Sequence, residues 1–158
     1  TGGMVQTATG ALSGNGGTLG GTLTISGGKI APGANTGEAG ALTLSGTVNM
    51  SSAARMAIEL GGTTATNEYD LLKGGTINLN DCGLDVTFIN GFRNSVSNAN
   101  TFTVIRGTLS GSLGNLTAGR VTADNGGTFQ ASVTTGAGGS VVLSDYQYRA
   151  RGTVVIIQ

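Results

Sequence analysis

The sequence predicts an all-β protein, a β-solenoid closed by a C-terminal capping region of antiparallel strands. Two short segments carry the prediction: Thr22–Gly27 reads T-L-T-I-S-G, and Ala41–Gly46 reads A-L-T-L-S-G. Each alternates apolar and polar residues, as a half-buried strand does. The second follows 19 positions after the first, from residue 22 to residue 41. A strand that returns at a step of about 20 residues predicts stacked coils.

Composition supports a solenoid made from small side chains. The 158 residues suffice for one domain with a sizeable core, and they include 30 glycines but no tryptophan. Evenly spread, alternating aliphatic residues argue against disorder, and glycine lacks the three-residue period of collagen. No long segment keeps a helical period, so the class is all-β.

The first hundred residues divide into short strands and glycine-rich turns. Met4–Thr7 is a candidate first strand, and Lys29–Ala31 is a second short strand between the two hexads, ended by Pro32 and Gly33. In Arg55–Leu60 the apolar residues alternate with polar ones, and Thr76–Asn80 repeats the hexad pattern. Gly83–Ile89 is the cleanest alternating strand.

The spacing of the apolar residues changes after a polar loop at residues 90–100. Thr101–Arg106 is a strand, and Thr128–Thr134 and Ser140–Ser144 are expected to pair as a hairpin. We therefore predict solenoid coils at 1–100, a capping β-layer at 101–145 continuous with them in a single domain, and a C-terminal extension at 146–158. A solenoid needs a cap because an open end exposes unpaired backbone and apolar core.

The extension contains the most β-prone segment of the chain, apolar on both faces. Its residues form the candidate subunit-interaction strand: Thr153, Val154, Val155, Ile156 and Ile157. This strand either adds to a neighbouring copy by β-augmentation or pairs with an edge of its own domain. Head-to-tail addition does not close, so the first alternative predicts filaments.

Several segments, in order, resemble the β-helical repeat of bacterial autotransporter passenger domains and of related exported proteins that carry a C-terminal sorting tail. The matching segments are Leu12–Gly33, Tyr69–Leu72, Leu84–Phe92, Thr101–Ile105 and Gly136–Leu143. The resemblance implies a right-handed parallel β-helix, secretion and a role at the cell surface or outside the cell. It implies no catalytic residues, because this repeat is a stalk or scaffold in the family.

The residue inventory excludes several kinds of site. Without histidine and with one cysteine, Cys82, the chain has no Ser-His-Asp or Cys-His arrangement and no zinc site. A carboxylate pair for glycoside hydrolysis stays open at Glu68 and Asp70 or at Asp81 and Asp85. Calcium through oxygen ligands stays open at residues 67–70 and 78–81. No cofactor is expected.

Zero net charge, with the few charges scattered, argues against nucleic acid, and no apolar run is long enough for membrane insertion as a helix. A start at Thr1 without Met indicates a mature or trimmed product. We expect a secreted, non-enzymatic structural protein that self-assembles into an extracellular fibre, sheath or surface layer of a bacterium. The alternatives are an autotransporter-like passenger or adhesin that binds host or matrix surfaces or glycans, and a carbohydrate-active β-helix enzyme.

Overall fold

The described part of the chain is all-β, with strands joined by turns and loops. The computed structural model describes residues 5–7 and 9–148, in which the only helix is a short 3-10 turn, Phe92–Asn94. The strands are β1 (Val5–Thr7), β2 (Ala11–Gly14), β3 (Thr18–Leu19), β4 (Thr22–Ile25), β5 (Lys29–Pro32), β6 (Ala41–Met50), β7 (Arg55–Leu60), β8 (Leu71–Asn78), β9 (Gly83–Phe88), β10 (Phe102–Ser110), β11 (Arg120–Thr122), β12 (Thr128–Thr134) and β13 (Gly136–Gln147).

Parallel pairing winds the first ten strands into a solenoid with three faces. The first face stacks β1, β4 and the second halves of β6, β8 and β10. The second face stacks β2, β5, β7 and β9. The third face stacks β3 and the first halves of β6, β8 and β10. The predicted β-solenoid is confirmed.

The coils do not repeat at a fixed length. On the first face, Val5 pairs with Leu23, 18 residues later. The next pairs follow the series Thr22, Thr47, Thr76 and Thr108, with steps of 25, 29 and 32 residues between successive members. The growth is concentrated at the corner between the second and third faces. There the connections are residues 15–17, 33–40, 61–70 and 89–101, which is three, eight, ten and thirteen residues.

The expected step of about 20 residues was therefore wrong. The two hexads do not stack on each other, since β4 pairs with the second half of β6, at Thr47–Met50. The hexad at Ala41–Gly46 lies on the third face of the same coil whose first face holds Thr22–Gly27. Their similarity reflects the same half-buried environment on two faces, because each strand has one side against the core.

The alternation within the strands was predicted well. Leu23 and Ile25 in β4 are buried, as are Met56, Ile58 and Leu60 in β7. The apolar residues of β9 are likewise buried, and Cys82 just before it is fully inaccessible. Burial raises the pKa of the Cys82 thiol to about 12, so this cysteine is a core residue with no thiolate at neutral pH.

Glycines fill the corner at which the third face turns into the first. This glycine column consists of Gly21, Gly46, Gly75 and Gly107, one from each successive coil. A Cβ on Gly46 would overlap the carbonyl oxygen of Gly21, and one on Gly75 would overlap that of Gly46. Gly75 also has φ +57, a conformation that costs other residues energy. Close backbone contact is therefore what this corner requires.

Pairing changes from parallel to antiparallel at β10. This strand is parallel to β8 on one side and antiparallel to β13 on the other, and β12 and β11 follow in the same sheet. The predicted hairpin is confirmed, with Ala131 opposite Leu143 and Thr134 opposite Ser140.

An aromatic cluster fills the C-terminal end of the core. All four phenylalanines of the chain and two of its three tyrosines belong to it. Its members are Tyr69, Phe88, Phe92, Phe102, Phe129 and Tyr146. Phe102 stands edge-on to three of the other rings, with centroids between 5.3 and 6.0 Å apart. The cluster packs the cap onto the last coil.

Candidate interaction site

The first coil ends in strand edges that no described residue covers. We call the outer side of β1, β2 and β3 the N-terminal edge. The carbonyl oxygens of Gly10, just before β2, and Gly14, at its end, accept the N–H groups of Lys29 and Gly33 at 2.9 and 3.0 Å. Successive residues of a strand point their N–H and C=O groups to opposite sides, so those of Ala11 and Ser13 point away from β5. No strand among the described residues pairs with them, and such outward groups are what an added strand would join.

The sequence around this edge lacks two of the usual protections against strand addition, charged side chains and proline. Natural edges are blunted by charged side chains, by proline or by a covering loop. Residues 1–28 contain no charged side chain and no proline; the first of each are Lys29 and Pro32. We did not predict this edge, although a scan for uncharged stretches next to strand patterns would have found it.

The opposite end of the second face is covered. The Asn115 side chain binds both backbone groups of Leu84 at the edge of β9. Its Oδ1 accepts the Leu84 N–H and its Nδ2 donates to the Leu84 carbonyl oxygen, each at 2.8 Å. Further along, the Asp124 N–H donates to the Val86 oxygen at 2.9 Å, and Asp124 Oδ1 accepts the Phe88 N–H at 3.2 Å. Within residues 5–7 and 9–148, the solenoid therefore has one edge that no other strand joins and one that the cap covers.

The candidate interaction strand, Thr153–Ile157, lies outside the described residues, which end at Tyr148. Tyr148 is 57% exposed, whereas the preceding tyrosine, Tyr146, is buried in the aromatic cluster.

The structure gives the two carboxylates flanking Tyr69 separate partners. Glu68 is exposed, and its pKa is lowered first by a hydrogen bond from the Thr64 side chain and then by the N–H groups of Thr64 and Thr63, which it accepts at 2.8 and 3.0 Å. Asp70 is fully buried; its Oδ1 accepts the Gly40 N–H at 2.8 Å and its Oδ2 the Glu59 N–H at 2.9 Å. Asp70 thus ties the connection at 33–40 to β7.

Burial gives Asp70 an unusual titration. It raises the pKa of this carboxyl to about 7, against the opposing effect of the two backbone donors, while the unfolded value is about 3.9. The folded state therefore holds the proton more tightly than the unfolded chain. The stability that this proton contributes is complete below about pH 4 and is lost as the pH rises through 7.

We expect the free energy of unfolding to fall by on the order of 2–3 kcal/mol between pH 5 and pH 8. The chain has no histidine, whose charge would otherwise change in this range. Asp70→Asn removes the ionisation and should flatten the profile, whereas Glu68→Gln should leave the slope unchanged, because Glu68 titrates below the window. Urea unfolding measured at steps of half a pH unit checks this. An equal slope in wild type and Asp70→Asn would show that Asp70 is not its source.

The remaining sequence candidates have local partners. Asp81 Oδ1 accepts the Ser112 hydroxyl at 2.5 Å, and Asp85 lies 3.5 Å from Arg55 in a half-exposed ion pair. Asn78 and Asn80 bond to the neighbouring coil, at Asn49 Oδ1 and the Met50 oxygen. Within the described part of the chain, no group of three or more His, Cys, Asp or Glu side chains is placed to hold a metal.

Two concave regions lie outside the core. A groove of about 160 Å³ crosses the second face, and a wider pocket of about 430 Å³ lies on the cap. The groove is lined mainly by Lys29, Ala31, Asn35, Thr36, Ala57 and Glu59. The pocket is lined by Arg93, Asn94, Val96, Asn125, Tyr146 and Tyr148.

The described residues form a β-solenoid whose last coil is covered by antiparallel strands. A scan against protein-family models and a search of curated proteins both found no match to this chain. Residues 5–7 and 9–148 contain no helix with the length and apolar character needed to span a bilayer.

Proposed function

We propose that this chain is a secreted, non-enzymatic structural subunit that self-assembles by strand addition at its N-terminal edge. The observation that carries the proposal is the contrast between the two ends. Ala11 and Ser13 direct their backbone groups outward in an uncharged region, while Asn115 and Asp124 cover the other end. The resemblance of Leu12–Leu143 to autotransporter repeats supports an extracellular or cell-surface location.

The donor in this proposal is Thr153–Ile157 of a second copy. Backbone hydrogen bonds alone, at about 1 kcal/mol each over four residues, would reach only about millimolar affinity. Burial of the Val154, Val155, Ile156 and Ile157 side chains must supply the rest, at roughly 1.5–3 kcal/mol for each side chain that is fully buried. Because donor and acceptor lie in different parts of the subunit, the contact repeats head to tail and gives a fibre, sheath or layer.

We expect Ser13→Pro to abolish assembly in the full chain. Proline removes the outward N–H of the acceptor strand but no hydrogen bond to β5, so the subunit should still fold. Ser13→Thr keeps the N–H and is the matched control. Light scattering and electron microscopy report assembly, and circular dichroism reports folding.

Deletion of residues 151–158 tests the donor in the same assays and should also leave single subunits. Polymers that persist in both the deletion and Ser13→Pro would contradict the proposal. A wild-type chain that stays monomeric at high concentration would also contradict it and would favour the passenger or adhesin alternative.

A further inference from the structure

The first face carries two ladders of short polar side chains. Successive coils place the triplets T-L-T, T-V-N, T-I-N and T-L-S in register, with the middle residue of each triplet buried. The first ladder is Thr22, Thr47, Thr76 and Thr108. The second ladder is Thr24, Asn49, Asn78 and Ser110.

The ladders form a two-dimensional array. Neighbouring strands lie about 4.8 Å apart and alternate residues of a strand about 6.7 Å apart, so both repeats of the array are fixed by the backbone. Side-chain hydrogen bonds hold the second ladder in place: Asn78 Nδ2 donates to Asn49 Oδ1, and Ser110 Oγ donates to Asn78 Oδ1, each at 2.6 Å. Such ladders favour an untwisted sheet and leave little side-chain freedom to lose on binding.

Charge separates this face from the other two. The first-face strands of the four coils contain no charged residue. The second face carries Lys29, Arg55, Glu59 and Asp85, and the third carries Lys73 and Arg106. A neutral surface of regularly spaced hydroxyl and amide groups complements an extended lattice that is itself neutral and hydrogen-bonding.

We propose that the first face binds the surface of ice. Ice presents rows of water oxygens at spacings close to the two repeats of the array, and threonine offers a hydroxyl that can join such a row beside a methyl group that fits between rows. A crystalline polysaccharide fits less well, because the ladders contain no aromatic ring to stack on a sugar. This activity rests on the folded coils alone and does not require self-assembly.

The test is inhibition of ice recrystallisation by the full chain, together with uptake of fluorescently labelled chain into a growing ice hemisphere. Thr76→Tyr places a ring at the centre of the first ladder and should reduce inhibition at least about tenfold, since the ring holds the lattice away from its neighbours. Thr43→Tyr makes the same change on the third face and should match wild type. Circular dichroism confirms that both variants fold.

Three results would overturn the proposal. They are a wild-type chain no more active than albumin at equal mass, equal inhibition by Thr76→Tyr and wild type, and retention on microcrystalline cellulose or chitin without uptake into ice. Ser13→Pro, which should block assembly, should retain inhibition for each subunit, so failure of self-assembly and failure of ice binding remain distinguishable.

Discussion

Gly46→Ala should destabilise the folded chain by about 3 kcal/mol or more, the largest effect of any single methyl group we expect here. The new Cβ would overlap the Gly21 carbonyl oxygen and lie 2.7 Å from the Gly21 nitrogen. Both are backbone atoms held in the ladder between coils, since Gly21 O accepts the Thr47 N–H at 2.9 Å. The strain therefore cannot be relieved by a side-chain rotation. Guanidinium unfolding monitored by circular dichroism measures the loss.

Gly17→Ala is the matched control for the glycine column. A Cβ at Gly17 meets nothing within 4 Å and needs no positive φ, so this change should alter stability by less than about 1 kcal/mol. Equal stabilities of the two variants would show that the corner tolerates a side chain and that close backbone contact does not require glycine in the column.

Phe102→Ala should cost about 3–5 kcal/mol, because it removes the ring that joins the last coil to the cap. Phe102 is fully buried in β10 and contacts Tyr69 from the third coil, Phe92 from the loop and Phe129 from the cap. Its loss leaves a cavity among rigid rings that cannot easily collapse. Thermal and guanidinium unfolding give the magnitude.

Phe102→Leu separates volume from ring geometry and should cost only roughly 1–2 kcal/mol. Binding of a hydrophobic dye should rise in Phe102→Ala if the cap loosens from the coil. A loss below about 1 kcal/mol in Phe102→Ala would mean that the cap does not depend on the aromatic cluster.

The strands and the inward sides of the coils could be predicted from the sequence, and the coil length could not. Alternation is local, so residues such as Met56 and Ile58 reveal their buried side without any knowledge of partners. Stacking is not local. The connections between the second and third faces grow from three to thirteen residues, which erases any fixed period and leaves the two hexads 19 positions apart by coincidence of loop length.

The sequence also did not predict which side chains contact one another in the folded chain. Phe88, Phe102 and Phe129 are far apart along the chain, and only the change to antiparallel pairing brings their rings together. Asp70 looked like the partner of Glu68, yet its carboxyl binds backbone groups 30 and 11 positions away, at Gly40 and Glu59. Side-chain chemistry can be listed from a sequence, but burial and distant backbone donors decide which groups share a site.

The connections at one corner hold more residues with each coil, from three to thirteen, so the amount of chain at that corner increases from the N-terminal edge towards the cap. In a fibre built head to tail, this gradient would restart at every junction. Five strand layers at about 4.8 Å set the axial repeat on the order of 20–25 Å, plus the depth of the cap. The subunits of one fibre would then all carry the larger corner at the same end, which gives the fibre a polarity that averaged electron-microscopy images would show.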